Sequence, residues 1–221
     1  THPITILGPT TAPVESLTNG SITILGWGMT PAGWAALMGN QAAKWVDEAF
    51  DARRIFGDAL MNLRQQLIDA EDMKAQFDLL QIAAAEIFVK SDSAPFEFTR
   101  KVDQWLLADG DHDIEALMAA TGLSVRQLER TTARYYGMPP KKLARKYRAL
   151  RAAHKLSAGD SPDDTELGLS FYDQSHLIRE VKQFTGLTPG QLKSGQSLLT
   201  AATMRERGKL IGKVSPLVSE S

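Results

Sequence analysis

The chain has 221 residues, of which 43% are hydrophobic and 23% charged, a composition typical of a globular protein with room for two small domains. It contains no cysteine, which excludes disulfides, thiolate zinc sites and cysteine nucleophiles. The net charge of −1 hides a basic block, because residues 124–155 contain ten basic residues and one acidic one. Such a block is expected of a nucleic-acid surface, although a solvated helix face would explain the charge alone equally well.

The first forty residues predict two short strands and one helix. Ile4–Leu7 and Ser21–Leu25 are β-branched, apolar stretches separated by Gly, Pro and Asn, so we expect them to form strands. Thr30-Pro31 supplies a helix N-cap and a proline at the first helical position, and Gly39 ends this helix. Because the chain opens at Thr1 without methionine, we expect it to be a fragment of a longer protein.

A helical hairpin is predicted next, over residues 53–69 and 72–89. Apolar side chains recur in both stretches at helical spacing, so each helix has one apolar stripe. The stripes consist of Phe56, Leu60, Leu63 and Leu67, and of Met73, Phe77, Leu80, Ala84 and Ile87. They could pack on each other or against a second copy of the chain, and we favour the intramolecular core. Ser91–Pro95 breaks the pattern and is interpreted as a linker.

Two predicted helices and a long third one follow the linker. The first runs from a cap at Asp111 to Thr121 and stops at Gly122. The capping box Ser124–Gln127 starts the second, which ends at Gly137. The long helix covers about residues 140–157.

The same arrangement is predicted again further along the chain. Ser161–Asp164 is a strong helix start, and Asp173 caps the next helix, which ends at Gly186. Thr188-Pro189 starts a last short helix, and residues 203–221 are expected to fray.

Two helix-turn-helix units are therefore predicted, joined by a linker helix ~27 Å long. This length is comparable with the ~34 Å between successive major-groove faces on one side of a DNA duplex. Each second helix divides into two faces. The inward faces are predicted to hold Val125, Leu128, Thr132 and Tyr135, and Leu177, Ile178, Val181 and Phe184. The outward faces are rich in Arg and Gln, which pair with guanine and adenine edges. An Arg-rich face is more often only solvated, and it is the doubled, capped arrangement that favours DNA reading.

The stretch Phe171–Glu180 (FYDQSHLIRE), followed by Phe184–Pro189 (FTGLTP), resembles the signature of the AraC/XylS family of transcription regulators. Upstream, Gly122-Leu123-Ser124 with Gln127–Arg130, followed by Tyr136-Gly137 and Pro140, resembles the first helix-turn-helix of that family. The resemblance covers roughly residues 100–195. It implies a bacterial, cytoplasmic, sequence-specific DNA-binding regulator that activates or represses transcription, with double-stranded DNA and RNA polymerase as partners and no cofactor.

The resemblance also implies roles for individual residues. Carried over by position, the base-reading residues are Arg126, Glu129, Arg130, Gln174, Ser175 and Arg179. Candidate phosphate contacts are Ser124, Arg134, Lys141, Lys142, Arg145, His176 and Lys182. The chain departs from the family pattern at Glu166 and Ser170, where the family usually has Ala and Gly. A positive φ at Ser170 would cost roughly 1 kcal/mol or more.

Residues 26–34 (GWGMTPAGW), with the helical pair after them, resemble the tail of the β-barrel sensor that often precedes the DNA-binding domain in this family. Most of a barrel is missing, so the pocket for a small-molecule effector could be absent from this chain. Trp27 and Trp34 could line such a site, but packing in a core or a domain interface is the interpretation that we favour.

The predicted fold is mainly α: a small N-terminal α+β remnant, then an all-α domain with two helix-turn-helix units joined by a long linker helix. The predicted domains are residues 1–98, a partial regulatory, sensor or dimerisation region; residues 99–200, the DNA-binding domain; and residues 201–221, a tail. No enzyme is predicted, because the four histidines have no metal-ligand spacing and no catalytic motif is present. The alternative function is an adaptor that binds a partner or forms a homodimer through the N-terminal helices and binds DNA weakly and non-specifically.

Overall fold

The computed structural model describes residues 2–14, 19–20, 23–39, 41–89, 96–108, 112–159, 171 and 173–194. Over these ranges the chain is mainly helical with two short strands, which confirms the predicted fold class. None of the helices in these ranges combines the length and the hydrophobicity needed to cross a membrane. The linker at Ser91–Pro95, the helix start at Ser161–Asp164, Glu166, Ser170 and the tail lie outside the described residues.

The two strands pair differently from the prediction. Strand β1 (Thr5–Leu7) is antiparallel to β2 (Ala49–Asp51) and places Ile6 opposite Phe50. The predicted strand at Ser21–Leu25 is wrong over its described part, since residues 23–25 belong to no strand. Burial decides the pairing, because Phe50 is 2% exposed whereas Ile24 is 69% exposed.

Helix α1 (Pro31–Met38) begins and ends where its capping residues predict. The Thr30 side chain accepts a hydrogen bond from the Gly33 N–H at 3.1 Å, and Gly39 ends the helix at φ 73°. A 3-10 turn at Ala42–Trp45 then leads into β2. These elements share a small core formed by Trp34, Ala42 and Phe50.

The hairpin consists of α2 (Arg53–Phe56), α3 (Ala59–Asp69) and α4 (Met73–Val89). The single helix predicted for residues 53–69 is wrong at Gly57, whose φ of 55° interrupts it. Helices α3 and α4 pack together, but Met73 is 78% exposed and Phe77 58% exposed. The apolar stripes therefore cover each other only in part.

Within the described part of the remaining chain, six helices follow: α5 (Phe96–Leu107), α6 (Ile114–Thr121), α7 (Val125–Tyr136), α8 (Pro140–Ala158), α9 (Gln174–Thr185) and α10 (Pro189–Ser194). No bounds were predicted for α5, and those of α7 to α10 match the prediction, whereas α6 begins later than predicted. The predicted cap at Asp111 is wrong, because the N-cap of α6 is Asp113. The backbone of Asp113 is extended, and Ile114 is the first helical residue. Its carboxylate accepts a hydrogen bond from the Glu115 N–H at 3.0 Å.

Helix α8 supplies residues to two separate cores. Its first half contributes Leu143 and Tyr147 to a core with residues of α5, α6 and α7. Its second half contributes Ala153 and Leu156 to a core with α9 and α10. With 19 residues α8 is about 28 Å long, so it holds α7 and α9 in separate units on one rigid axis.

Candidate nucleic-acid interface

Helices α6 and α7 form a helix-turn-helix unit. Gly122 ends α6 at φ 71°, where its N–H bonds to the Met118 carbonyl oxygen at 2.8 Å. Two residues later, Ser124 caps α7 and donates from its backbone N–H to Gln127 Oε1 at 3.0 Å, as the predicted capping box requires. Leu117 of α6 and Leu128 of α7 are both fully buried in one core, which fixes the angle between the two helices.

The outer face of α7 is polar and open to solvent. Its exposed side chains include all three base-reading candidates of this unit, together with Arg134: Arg126, Glu129, Arg130 and Arg134. Leu128 and Thr132 point inward as predicted. Val125 was predicted to face inward but is 47% exposed, because α7 begins at the edge of the core.

Tyr136, 3% exposed, anchors the far end of α7, a role that the sequence interpretation missed because it placed Tyr135 on the inward face. Its hydroxyl lies 3.1 Å from the Thr99 carbonyl oxygen and 3.2 Å from Asp103 Oδ1, and donates toward them. Burial, and then the nearby Asp103 carboxylate, raise the pKa of Tyr136 well above its ordinary range. The spacing of four residues from Leu128 through Thr132 to Tyr136 is a signal that could have identified it.

Helix α9 repeats the pattern of α7 on the other half of α8. The Asp173 carboxylate accepts a hydrogen bond from the His176 N–H at 2.6 Å, and Gly186 ends the helix at φ 75°. Leu177, Val181 and Phe184 are buried as predicted. The exposed side chains include the three base-reading candidates and Lys182: Gln174, Ser175, Arg179 and Lys182.

The buried face of α9 holds a charge that the sequence pattern did not reveal. Ile178, predicted to be buried, is 38% exposed, and Glu180 is only 3% exposed. Burial of this carboxylate is tolerable because Arg145 of α8 reaches it: Nη2 lies 2.5 Å from Oε1, and Nε lies 3.2 Å from both oxygens. His176 Nε2 lies 3.7 Å from the same Oε1.

The guanidinium of Arg145 therefore links α8 to α9. Its hydrogen bonds with Glu180 raise the pKa of Arg145, so the arginine stays charged. Arg145 was carried over as a phosphate contact, and the structure engages its charge with a partner 35 residues away. No local spacing could have paired these two residues.

The other phosphate candidates differ in accessibility. Ser124, Arg134, Lys141 and Lys182 are exposed, whereas Lys142 and His176 are half-buried. The His176 ring packs edge-on against Phe171, with ring centroids 5.7 Å apart. Among these candidates, the exposed cations therefore lie on α7, on α9 and at the start of α8.

The two tryptophans considered for an effector site lie in different environments. Trp27 is 40% exposed, whereas Trp34 is 5% exposed and packs with Ala42 and Phe50.

Within the described ranges, no cluster of three or more His, Cys, Asp or Glu side chains could hold a metal ion. His112 serves packing, since its ring lies edge-on to Trp105 and Tyr147.

Comparison with known proteins agrees with this geometry. Residues 117–195 match the family model of a helix-turn-helix domain, of the AraC type. Neither the curated proteins nor the solved structures gave a match to the chain. The matched segment begins within α6 and includes all of α7, α8, α9 and α10. The match identifies residues 117–195 as an AraC-type helix-turn-helix domain, a DNA-binding domain of transcription regulators.

Proposed function

We propose that the protein reads two successive major grooves of a DNA duplex, one with α7 and one with α9, and so binds a specific promoter sequence. The observation that carries this proposal is that both helices are capped, bury an apolar face against cores shared with α8, and expose a polar face. The length of α8, about 28 Å, is comparable with the ~34 Å between groove faces on one side of the duplex.

Base reading in each groove is assigned to three exposed residues per helix: Arg126, Glu129 and Arg130 on α7, and Gln174, Ser175 and Arg179 on α9. Arginine donates two hydrogen bonds to guanine, glutamine forms a bidentate pair with adenine, and glutamate accepts from cytosine. Each good bidentate pair discriminates against the wrong base by about 1–3 kcal/mol.

Phosphate contacts are assigned to exposed groups around these faces, namely Ser124, Arg134, Lys141 and Lys182. Such contacts position the protein without selecting a sequence. Each cationic contact is expected to contribute about 0.9 to the slope of log affinity against log salt concentration. Arg145 is assigned to the link with Glu180 instead, and the half-buried Lys142 and His176 are assigned supporting roles.

The test begins with selection of a high-affinity duplex from a random library by the intact chain. Fluorescence anisotropy then compares Arg126→Ala with the wild type on the selected duplex and on random DNA. Arg100→Ala is the matched control, because Arg100 is an exposed arginine on α5. We expect Arg126→Ala to cost about 1–3 kcal/mol on the selected duplex and to relax preference at one base pair.

Two results would contradict the proposal. An equal loss on selected and random DNA would make Arg126 a phosphate contact. A library that yields no preferred sequence would argue against promoter-specific binding altogether.

We further propose that regulation involves a homodimer, for which the exposed apolar side chains Met73 and Phe77, one turn apart on α4, are the candidate surface. Large apolar patches on a helix face are typical of surfaces that associate. Sedimentation of the wild type and of a Phe77→Ser variant tests this. A wild type that stays monomeric at high concentration would remove the dimer from the proposal.

A further inference from the structure

A short N-terminal segment, Pro9–Pro13, contacts the ends of both candidate reading helices; we call it the strap. At Gly137, where α7 ends, an added Cβ would lie 3.0 Å from Pro9 Cβ. At Gly186, where α9 ends, an added Cβ would lie 3.1 Å from Cβ and Cγ of Pro13. The strap thus packs against the terminal glycine of each helix.

Between these two contacts the strap is bound to α8. Lys146 Nζ donates to the Thr10 carbonyl oxygen at 2.7 Å and lies 3.1 Å from Thr10 Oγ1. Burial lowers the pKa of Lys146 to about 8, against the opposing attraction of Asp47. A desolvated ammonium that bonds to the backbone is a contact of fixed geometry rather than a loose surface pair.

The strap is also bound to Asp47, in the segment just before β2. The Thr11 N–H and Oγ1 both donate to the Asp47 carboxylate at 2.6 Å, and the Asp47 N–H donates to the Pro9 carbonyl oxygen at 2.9 Å. Gly8 packs so closely on the Trp45 backbone that an added Cβ would lie 1.8 Å from the carbonyl oxygen. Four steps of extended chain span at most about 14 Å, so the strap limits the separation of its two ends.

The strap leaves the base-reading candidates uncovered. It touches the C-terminal ends of α7 and α9, whereas Arg126 and Gln174 lie at the N-terminal ends and are exposed with the strap in place. In α7, 12 residues or about 18 Å separate the two ends. The contact is therefore compatible with a bound duplex.

We propose that the strap is a positioning element that fixes the orientation of α7 relative to α9 and thereby sets the half-site spacing that the protein accepts. The proposal rests on the two-groove reading proposed above. Since α7 and α9 belong to separate cores joined by α8, the strap is a second connection between the two units. Holding both helices in one orientation before binding reduces the ordering cost of association.

The first test measures spacing selectivity. Duplexes derived from the selected site carry one added or one removed base pair between half-sites, which turns one half-site by about 34° relative to the other. The wild type is expected to lose at least ~10-fold in affinity, as for a mismatched site, and a Pro9→Gly/Pro13→Gly variant less than ~3-fold. Pro3→Gly is the control, because Pro3 is exposed and lies outside the strap.

A second test uses a pair of alanine variants, one of which adds a steric contact with the strap. Gly186→Ala adds a Cβ against Pro13, whereas Gly122→Ala adds one at a similar φ, 71° against 75°, with nothing within 4 Å. Both carry the same backbone strain, so only Gly186→Ala is expected to change the preferred spacing. Equal behaviour of the two alanine variants would overturn the positioning role.

A measurement without DNA completes the test. The chain has no cysteine, so Val125→Cys and Ile178→Cys give two unique spin-label sites on exposed positions of α7 and α9. The distance distribution is expected to be narrow with the native strap and broad in the double glycine variant. Unchanged distances together with unchanged spacing selectivity would overturn the role of the strap. A wild type with no spacing preference would instead contradict the two-groove reading itself.

Discussion

Replacing Arg145 by alanine separates two roles for one guanidinium: a phosphate contact, which the family resemblance implies, and a link between α8 and α9, which the structure contains. Among the residues that the structure describes, the variant leaves the Glu180 carboxylate, whose side chain is 4% exposed, with His176 at 3.7 Å as its one remaining ion-pair partner. The linking role therefore predicts a loss of folding stability that does not depend on DNA.

The size of that loss depends on how deeply the Arg145 and Glu180 side chains are buried. Removing one partner of a buried ion pair costs about 3–5 kcal/mol because the other charge stays desolvated. The Arg145 side chain is 44% exposed, so water can reach the vacated side and solvent screening reduces the cost. We expect Arg145→Ala to lower the free energy of unfolding by about 2 kcal/mol.

Urea unfolding of the wild type, Arg145→Ala and the double variant Arg145→Met/Glu180→Gln measures the effect. The double variant removes both charges and is expected to recover at least half of the loss. Lys141→Ala, an exposed cation on the same helix, is the control and should leave stability within ~0.5 kcal/mol. Unchanged stability of Arg145→Ala with a salt slope lower by about 0.9 would refute the linking role and support a phosphate contact.

Three further predictions concern other parts of the chain. Because burial lowers the pKa of Lys146 to about 8, its charged form destabilises the folded state below that pH, and the penalty disappears as the pH rises toward the unfolded value near 10.5. Urea titrations of the wild type and of Lys146→Met therefore give a difference in unfolding free energy, wild type minus variant, that should rise by up to ~3 kcal/mol between pH 8 and 10.5. A difference that does not change with pH would contradict the burial of Lys146. Leu117→Ala, at a fully buried position, should cost about 2–5 kcal/mol in the same assay, and a cost under 1 kcal/mol would mean that α6 is not packed as described. Phe77→Ser, at a 58% exposed position, should change the stability of the monomer by less than ~0.5 kcal/mol, and a larger loss seen only at high protein concentration would reveal self-association.

Features governed by neighbours in sequence could be predicted from the sequence. The cap and stop residues of α7 and α9, among them Ser124, Gly137, Asp173 and Gly186, lie at their predicted places, since capping is decided within one helical turn. The outward direction of Arg126 and Arg179 follows from helical periodicity in the same way.

Features governed by contacts distant in sequence could not be predicted. Strand β1 pairs with Ala49–Asp51 because Phe50 finds a core there, which no property of residues 21–25 could indicate. Glu180 faces inward because Arg145 compensates its charge, so hydrophobicity alone assigned Ile178 to that face instead. The strap contacts join Pro9 and Pro13 to residues more than a hundred positions away.

Helix α8 carries a constraint on how this domain can change in evolution. Each residue inserted into an α-helix advances everything beyond it by 1.5 Å and rotates it by about 100°. An insertion near the middle of α8, between Tyr147 and Ala153, would turn the α8 residues of the second core away from α9 or move α9 to another side of the α8 axis relative to α7. Surface residues of the two units can therefore be substituted freely. The segment of α8 between their cores is expected to tolerate neither insertion nor deletion.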